Sequence, residues 1–244
     1  LNSEVKILKK LVPCTKNVLC YSDAFNYHSL TYIVTELVEG SDMTKFIQSV
    51  GVCEIDTFYN LAMGLMNGLA YIHSLKIAHK DIKTGNIMIR EKDYTPVIID
   101  LGLACDTEKC NFSGSPNYMS PELADNKLDF QTSMASDVWA MGIVFYKMMH
   151  GFRAVPFSNE GADVKTALKI IRNAPYKKYN IPYIHGALDD FYLERLLYTR
   201  MLVKIETRWS SDVILSSLVK SATINSKNIP RIIIPEMEFE FEIE

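Results

Sequence analysis

A short polar run between apolar segments constrains the fold of this chain most. Residues 78–86, "AHKDIKTGN", lie between "LAYIHSLKI" and "IMI" and carry Asp81 and Asn86. Two short apolar segments, "NIMIR" and "PVIID", then flank the polar turn "EKDYT", and the second ends at Asp100. This pattern predicts two strands joined by a turn, with polar side chains at the strand ends. The sequence therefore predicts two Asp and one Asn on loops that neighbouring strands hold in place.

The spacing of apolar residues predicts an α+β chain in which the first strands precede most of the helices. Val5, Leu8 and Leu11 predict a helix over 1–12, and "VLCYSDAF" and "LTYIVTELV" predict two strands around the turn "NYHS". Gly40 is expected to end the second strand. Further helices are expected at about 54–75, from the N-cap Ser136 to Gly151, and at about 160–173, 187–203 and 210–221. This order indicates a small sheet ahead of a larger helical lobe.

Composition limits the class of protein. The 244 residues suffice for one large domain or for two small lobes that share a cleft, and a hydrophobic fraction of 48% can bury a large core. A net charge of −3 gives no support for nucleic acid binding. No apolar run reaches the length of a membrane span, and no basic leader with an apolar core and a cleavage site occurs in the sequence.

The cysteines predict a reducing environment. Five cysteines, an odd number scattered along the chain, do not indicate a disulfide framework. Cys105 and Cys110 are close together, but no second Cys or His pair follows with the spacing of a zinc site. We therefore expect ordinary thiols and a location in the cytoplasm or the nucleus.

The polar residues at the strand ends fit phosphoryl transfer from a nucleoside triphosphate. This reaction needs metal ions on the phosphates and a carboxylate that positions the attacking hydroxyl and accepts its proton. Asp100 and Asn86 offer the oxygen ligands that Mg²⁺ prefers, which leaves Asp81 to face the hydroxyl. Lys83 adds a positive charge near the transferring group, where the transition state spreads negative charge.

Four segments in the expected order make the chain resemble a eukaryotic-type serine/threonine protein kinase catalytic domain. "HKDIKTGN" resembles the catalytic loop of that family, and "DLG" resembles its metal-binding segment, with Leu101 where Phe is usual. "SGSPNYMSPE" resembles the end of the activation segment, and "SDVWAMG" resembles the helix that anchors the catalytic loop through Asp137. The resemblance implies a protein-kinase-like α+β fold with a partial N-terminal lobe and hinge over 1–38, a mainly helical C-terminal lobe over 39–221 and a tail over 222–244.

The resemblance implies ATP and Mg²⁺ as cofactors and a protein Ser or Thr hydroxyl as the acceptor. "SEVKILKKL" resembles the helix whose glutamate, here Glu4, pairs with an ATP-anchoring lysine, and "IVTELVEGSDM" resembles the strand and hinge that hold adenine. The implied nucleotide positions are Thr35 as gatekeeper, Glu36 to Val38 in the hinge, Asp42 at the ribose and Met88 under the adenine. The implied catalytic positions are Asp81, Lys83, Asn86 and Ser115, and the implied metal ligands are Asn86 and Asp100.

Two further groups of residues follow from the resemblance. Glu122 and Arg208 are expected to form an ion pair that ties the activation segment to the helical lobe. An apolar spine that links the two lobes is expected from Leu8, Tyr21, His79 and Leu101.

Several features depart from the pattern of the family. The sequence has no G-x-G-x-x-G segment and no strand lysine. Both normally precede the Glu4 helix, so the start at Leu1 favours a sequence that begins late over a gene product without those strands. Because both elements help to hold the phosphates of ATP, we expect the 244 residues alone to be a poor enzyme. Lys80 stands where arginine is usual, which keeps the charge but loses the bidentate geometry for an activation-loop phosphate. Gly85 and Lys147 stand where arginine-directed relatives carry acidic groups, so we expect no strong selection for arginine in the substrate.

Two other classes of protein stay open at this point. A pseudokinase that acts as a binding or scaffold module would explain the missing lysine, whereas the intact Asp81, Asn86 and Asp100 argue against it. A small-molecule phosphotransferase could share the catalytic loop, but the segment "GSPNYMSPE" and Arg208 favour a protein substrate. The oligomeric state is not predicted.

Overall fold

The computed structural model describes residues 3–106, 110, 113–125, 129–156, 164–173, 193 and 195–225. The helices are α1 (Ser3–Lys10), α2 (Met43–Val50), α3 (Ile55–Ser74), α4 (Pro121–Ala124), α5 (Phe130–His150), α6 (Val164–Arg172) and α7 (Ser211–Asn225). The strands are β1 (Tyr21–Tyr27), β2 (Leu30–Thr35), β3 (Gly40–Asp42), β4 (Ile87–Arg90) and β5 (Pro96–Ile98). This α+β order confirms the predicted fold class.

The N-terminal part consists of α1 and the hairpin β1–β2. The predicted apolar face of α1, including Leu8, is buried, while the lysines of its last turn are exposed. The two strands run antiparallel, with Phe25 opposite Tyr32. His28 and Ser29 at the turn both adopt positive φ angles, as two-residue hairpin turns of this kind require. The predicted turn "NYHS" is therefore confirmed.

A second, three-stranded sheet holds the segments that carry the predicted site. It has the order β3–β4–β5 with antiparallel pairing, in which Met88 lies opposite both Asp42 and Val97. Beyond the sheet, the backbone N–H of Ile99 donates to the carbonyl oxygen of Asn86 at 3.0 Å. The predicted hairpin of "NIMIR" and "PVIID" is confirmed, and it brings its two polar ends next to each other.

The helical part has its core between α3, α5 and α7. Trp139 on α5 and Tyr59 on α3 are among the largest fully buried side chains. Tyr59 keeps its phenol hydrogen-bonded inside this core, because its hydroxyl lies 3.1 Å from the hydroxyl of Ser221 on α7. The sheet β3–β4–β5 packs against the same core through buried residues such as Ile98, so the loops at the strand ends rest on a rigid base.

The start of α5 differs from the prediction. The sequence suggested Ser136 as the N-cap, but Asp129 caps the helix by accepting a hydrogen bond from the N–H of Thr132 at 2.6 Å. Ser136 lies inside the helix and donates to the carbonyl oxygen of Thr132 one turn earlier, at 2.8 Å. A serine satisfied by its own helix does not begin a new one, so the predicted start was wrong, whereas the predicted end at Gly151 is confirmed.

The segment after β2 contains a short strand and a helix that the sequence analysis did not predict. The strand ends at Thr35 rather than at Gly40, and Gly40 begins the short strand β3. The helix α2 follows directly and was not predicted, although Asp42 is a normal N-cap that accepts from the N–H of Lys45 at 3.0 Å. Eight residues with three buried apolar side chains gave too short a pattern to detect.

The prediction of ordinary thiols was wrong for four of the five cysteines. The structure contains the disulfides Cys14–Cys20 and Cys105–Cys110, with Cα–Cα distances of 5.4 and 5.9 Å, and leaves Cys53 as a free thiol. The partners are only 6 and 5 residues apart, so each bond closes a short local loop. A count of scattered cysteines cannot reveal such local pairs.

Some predictions lie outside the described residues. The helix predicted over about 187–203 has only residues 193 and 195–203 described, and these include a π-helical turn at Leu197–Met201. Of the predicted tail, only 222–225 is described, as the end of α7. Within the described part of the chain, no helix has the length and apolar character needed to cross a membrane.

Candidate active site

The predicted catalytic residues meet around the carboxylate of Asp81. The Nζ atom of Lys83 lies 2.5 Å from Oδ2 of Asp81, and the hydroxyl of Ser115 donates to Oδ1 at 2.9 Å. Lys83 also reaches the Ser115 hydroxyl, at 3.3 Å. The hydroxyl of Ser115 therefore contacts both Asp81 and Lys83. It connects the catalytic loop to the segment that ends in α4.

Asn86 orients its side chain through the same carboxylate. Its Nδ2 donates to the carbonyl oxygen of Asp81 at 2.9 Å and to Oδ2 of Asp81 at 3.0 Å. With the amide nitrogen used in this way, the amide oxygen is left to accept from, or coordinate, another group. This is the orientation that a metal-ligating asparagine needs, because a cation binds the oxygen and not the nitrogen.

The carboxylate of Asp81 has room for one more donor. Among the described residues, three side chains donate to it: Lys83, Asn86 and Ser115. An ionised carboxylate offers about four acceptor positions on its two oxygens. The remaining position can accept the hydrogen of a substrate hydroxyl, which is the arrangement that a base for this reaction requires.

Asp137 on α5 fixes the backbone of the catalytic loop. Its Oδ2 accepts from the N–H of His79 and its Oδ1 from the N–H of Lys80, both at 2.7 Å. The same Oδ2 lies 3.0 Å from Nε2 of His73, whose Nδ1 lies 2.9 Å from the hydroxyl of Ser211. Lys80 has a φ angle of 70°, so the carboxylate of Asp137 holds the chain in a conformation that non-glycine residues rarely adopt. The predicted anchoring by Asp137 is present.

The imidazole of His79 links this loop to the segment of Asp100. Its Nε2 lies 3.0 Å from the carbonyl oxygen of Ile99, which can only accept, so Nε2 carries the proton. Its Nδ1 is then free of a proton and accepts from the N–H of Asp81 at 3.3 Å. The fully buried ring of His79 therefore positions the two predicted reactive segments relative to each other.

The predicted metal ligands lie on neighbouring segments. Asp100 is exposed, with a φ angle of 62°, and its Oδ1 accepts from the N–H of Gly102 at 3.2 Å. Burial, and next the charge of Asp100, raise the pKa of Glu4, so two carboxylates face the same region. Among the described residues no group of three or more acidic, His or Cys side chains forms a metal cluster. One carboxylate and one amide oxygen still suit Mg²⁺, which takes few ligands from the protein and the rest from phosphates and water.

The predicted nucleotide positions form a second group beside β4. Met88, half-buried on β4, lies opposite Asp42 in the sheet. The carboxylate of Asp42 caps α2, and its Oδ2 lies 3.5 Å from Nζ of Lys45, so a ribose contact would compete with this ion pair. The hydroxyl of Thr35 donates to the carbonyl oxygen of Glu36 at 3.2 Å. Val38 lies in the connection between β2 and β3, as a hinge requires.

The predicted ion pair of Glu122 and Arg208 is present and buried. Arg208 contacts both carboxylate oxygens of Glu122, through Nη1 and, at 3.1 Å, through Nη2. It also donates to the carbonyl oxygens of Ala135 and Val203, and its guanidinium stacks on the ring of Trp139 with 5.0 Å to the centroid. The side chains are 0% and 5% exposed, so this pair is a fixed part of the helical lobe.

Lys147 has a different environment from the one expected at the peptide groove. It is buried, and its Nζ donates to the carbonyl oxygens of Phe152 and Ala154 at 2.7 and 3.0 Å. The ammonium group therefore holds the loop after α5 and does not extend into solvent. Repulsion of arginine-bearing peptides would have to act through the protein surface, so the expectation about substrate choice stays a prediction with weaker support.

Three of the four expected spine residues lie in or against the main apolar core, and the fourth, His79, is buried but hydrogen-bonded. Leu8 and Leu101 are buried in the main apolar cluster, and Tyr21 packs against it from β1. Leu101 thus fills a core position although Phe is usual there.

Sequence reasoning missed two residues that shape the site. His73 lies on the apolar helix α3 and supports Asp137, and Arg90 at the end of β4 forms an ion pair with Glu36. A histidine within an otherwise apolar helix was a visible signal. Arg90 gave none, because charged residues at strand ends are common.

The fold and the site define a protein kinase. The family model for the protein kinase domain matches residues 1–218, so the chain belongs to that family. Its relatives include the serine/threonine-protein kinase atg1 of Dictyostelium discoideum, 29% identical over 86% of this chain and 30% of that protein. The probable serine/threonine-protein kinase CCRP1 of Zea mays is 29% identical over 94% of this chain and 35% of that protein. The calcium/calmodulin-dependent protein kinase cmkB of Emericella nidulans is 30% identical over 65% of this chain and 40% of that protein.

These relatives support a serine/threonine protein kinase function for the chain, and nothing in the comparisons favours the pseudokinase alternative. The chain spans no more than about two fifths of the length of these three relatives. The activity, substrates and partners of a whole protein that contains it are therefore a matter of proposal.

Proposed function

We propose that this chain transfers the γ-phosphate of ATP to Ser or Thr hydroxyls of a protein substrate, in a reaction that needs Mg²⁺. The observation that carries the proposal is the environment of Asp81. Its carboxylate is bonded by Lys83, Asn86 and Ser115, and it retains an acceptor position for one more donor.

The residues around Asp81 divide the work of the reaction. Asp81 orients the attacking hydroxyl and takes its proton as the bond to phosphorus forms. Lys83 lies against the same carboxylate and places its positive charge where the transferring phosphoryl group becomes most negative. Ser115 holds both side chains and so couples their positions to the activation segment.

Asp100 and Asn86 are proposed to hold Mg²⁺, which supplies positive charge to the phosphate oxygens of ATP when bound. The hydrogen bond from Ile99 to the carbonyl oxygen of Asn86 sets the separation of these two ligands. Asp100→Ala is expected to abolish the Mg²⁺-dependent part of nucleotide binding, measured by titration with and without Mg²⁺.

The adenosine end of ATP is proposed to lie along β2, the hinge and β4. Thr35, the backbone of Glu36 to Val38, Asp42 and Met88 line this path, and the alignment of Asp42 with Met88 supports it. Glu4 is proposed to lie at the phosphate end, since its carboxylate and that of Asp100 influence each other. The lobes are proposed to be residues 1–38 and 39–221, with a tail over 222–244.

A protein substrate, rather than a small molecule, is supported by the buried pair of Glu122 and Arg208. This pair fixes the segment after Ser115, which in the family forms the platform for a peptide. Nucleic acid and membrane surfaces are not proposed as partners. An intracellular location is proposed because ATP is the phosphate donor; the two disulfides make the redox environment a separate question.

The test is transfer of labelled γ-phosphate to a library of Ser- and Thr-containing peptides, with the 244-residue chain and with any longer protein that contains it. Asp81→Asn should lower turnover by about a hundredfold or more and largely spare nucleotide binding. The matched control is Asp93→Asn, the same exchange in the exposed turn between β4 and β5, which should leave turnover unchanged. Where the unchanged protein has measurable turnover, an equal turnover of Asp81→Asn would disprove the mechanism.

A further inference from the structure

Glu36, at the start of the hinge, is held from two sides. One carboxylate oxygen accepts from the N–H of Cys20 at 3.0 Å, and the other forms an ion pair with Arg90. The backbone N–H of Glu36 also donates to the carbonyl oxygen of Cys20 at 3.0 Å. The carboxylate therefore connects the hinge both to the residue before β1 and to the end of β4.

Arg90 acts from the C-terminal lobe. It is the last residue of β4 and lies opposite Gly40 in the sheet, and the next N–H, from Glu91, donates to the carbonyl oxygen of Glu39 at 3.1 Å. A side chain at position 40 would place its Cβ 1.9 Å from the carbonyl oxygen of Ile89, so only glycine allows this approach. The hinge is thus attached to β4 at its end by the sheet and at its start by Arg90.

The middle of the hinge is not attached in this way. Leu37 is 81% exposed, and no described residue hydrogen-bonds the backbone of Val38. The orientation of these peptide groups follows from how the two ends are fixed. The ion pair is only partly exposed, with 23% of each side chain accessible, so water and salt weaken it less than a surface pair.

We propose that Arg90 is a positioning residue for the adenine ring. It does not contact the nucleotide but, through Glu36, sets the orientation of the hinge peptides that hydrogen-bond the base. This inference rests on the proposed function and adds a specific determinant of nucleotide affinity to it. Loss of the ion pair should weaken binding of adenosine by about three- to tenfold, the usual range for a partly buried charged contact.

The experiment measures binding of two separate probes by calorimetry: adenosine, which has only the hinge end of ATP, and inorganic tripolyphosphate with Mg²⁺, which has only the phosphate end. Arg90→Met keeps an unbranched stem and removes the charged guanidinium group. This substitution should weaken the binding of adenosine and leave the binding of tripolyphosphate unchanged. Arg90→Lys should restore most of the affinity, and Lys92→Met, an exposed cation in the next turn, serves as the control.

Glu36→Gln provides a second approach in case Arg90→Met does not fold. Glutamine can still accept from the N–H of Cys20 but cannot pair with a cation, so adenosine binding should fall as in Arg90→Met. The double variant should bind adenosine no more weakly than either single variant, because each substitution removes the same interaction. The difference in adenosine affinity between each variant and the unchanged chain should become smaller at high salt, because salt screens the ion pair.

The outcomes separate the inference from the proposed function. If the unchanged chain binds neither adenosine nor tripolyphosphate, the proposed function fails and takes the inference with it. If it binds adenosine and Arg90→Met binds it equally well, the inference alone is overturned. An equal loss for both probes also overturns it, because the effect would then be general destabilisation.

Discussion

The hairpins β1–β2 and β4–β5 share antiparallel pairing but have opposite surroundings. Every residue of β5 is buried, and β4 alternates between buried and half-buried positions. In β1–β2, the side chains of Phe25, Tyr27, Leu30 and Tyr32 are 42–61% exposed. Sequence alone did not separate the two hairpins, since both are built from apolar segments around a polar turn.

The difference shows which hairpin holds the candidate reactive groups at fixed positions. Asn86 and Asp100 flank the buried hairpin, so packing and main-chain hydrogen bonds fix their separation. An isolated two-stranded hairpin is only marginally stable in water. The hairpin β1–β2 therefore depends on α1, on residues such as Ile33 that face the core, and on the attachment of Glu36 to Arg90.

The largest effect on stability is expected in the helical part, which supports the buried hairpin. Arg208→Ala should lower the free energy of unfolding by about 3–5 kcal/mol, because it leaves the charge of Glu122 buried and unpaired. Chemical denaturation measures this, with Arg153→Ala at an exposed position as the control. A midpoint equal to that of the unchanged chain would mean that the pair does not contribute as a buried contact.

A matched pair of substitutions tests the comparison of the hairpins directly. Ile98→Ala at the end of β5 removes a fully buried side chain and should cost about 2–5 kcal/mol. Leu30→Ala at the start of β2 removes an exposed side chain of the same volume and should change stability by no more than about 0.5 kcal/mol. A large loss for Leu30→Ala would show that the aromatic face of β1–β2 is covered in solution.

Removal of either disulfide should have an intermediate effect on the free energy of unfolding. Each closes a short loop, and loss of such a bond should cost about 2 kcal/mol by the chain-entropy account. Cys14→Ser would loosen the connection between α1 and β1. Cys105→Ser would loosen the segment whose backbone pairs with Ala78 next to the catalytic loop, so it should also reduce activity.

A count of thiols decides whether these bonds form. The unfolded chain without reductant should show one reactive thiol, that of Cys53, and five after reduction. Five thiols without reductant would restore the prediction from the sequence.

The motifs allowed the catalytic residues to be predicted because each has a polar side chain of fixed type at a fixed spacing. Asp81, Lys83 and Asn86 meet as expected because they share the loop between α3 and β4, and Ser115 joins them from the segment before α4. The fold class followed from apolar periodicity in the same way. Both inferences rest on patterns of neighbouring residues, and a single sequence shows these more clearly than contacts between distant segments.

The remaining features depend on contacts between distant segments. The pairing of Arg90 with Glu36, 54 positions away, follows from how the two sheets lie relative to each other. The burial of Lys147 follows from the path of the loop after α5, because its ammonium group donates to carbonyl oxygens of that loop. Neither charge pattern nor periodicity reports such geometry, so the role of Lys147 at a peptide groove was assumed from its position alone.

The smallest effect is expected at Glu4, on the α1 side of the exposed hairpin. Burial, and next the charge of Asp100, raise its pKa above 4.5, so the ionised form is less favourable in the folded chain than in the unfolded one. The folded state therefore binds the proton more tightly. The resulting contribution to stability is present below the unfolded pKa and is lost as the pH rises through the folded value.

Glu4→Gln, which cannot ionise, should raise the melting temperature slightly at neutral pH and not at about pH 4. Because Glu4 is only partly buried and solvent screens its charge, the gain should stay within about 0.5 kcal/mol. Thermal unfolding at both pH values, with Glu91→Gln at an exposed position as the control, measures it. Mg²⁺ with ATP should reduce the gain, because a cation held by Asp100 would offset the repulsion from its charge and leave the larger effect of burial. A gain that Mg²⁺ with ATP does not change would place the cation away from Asp100.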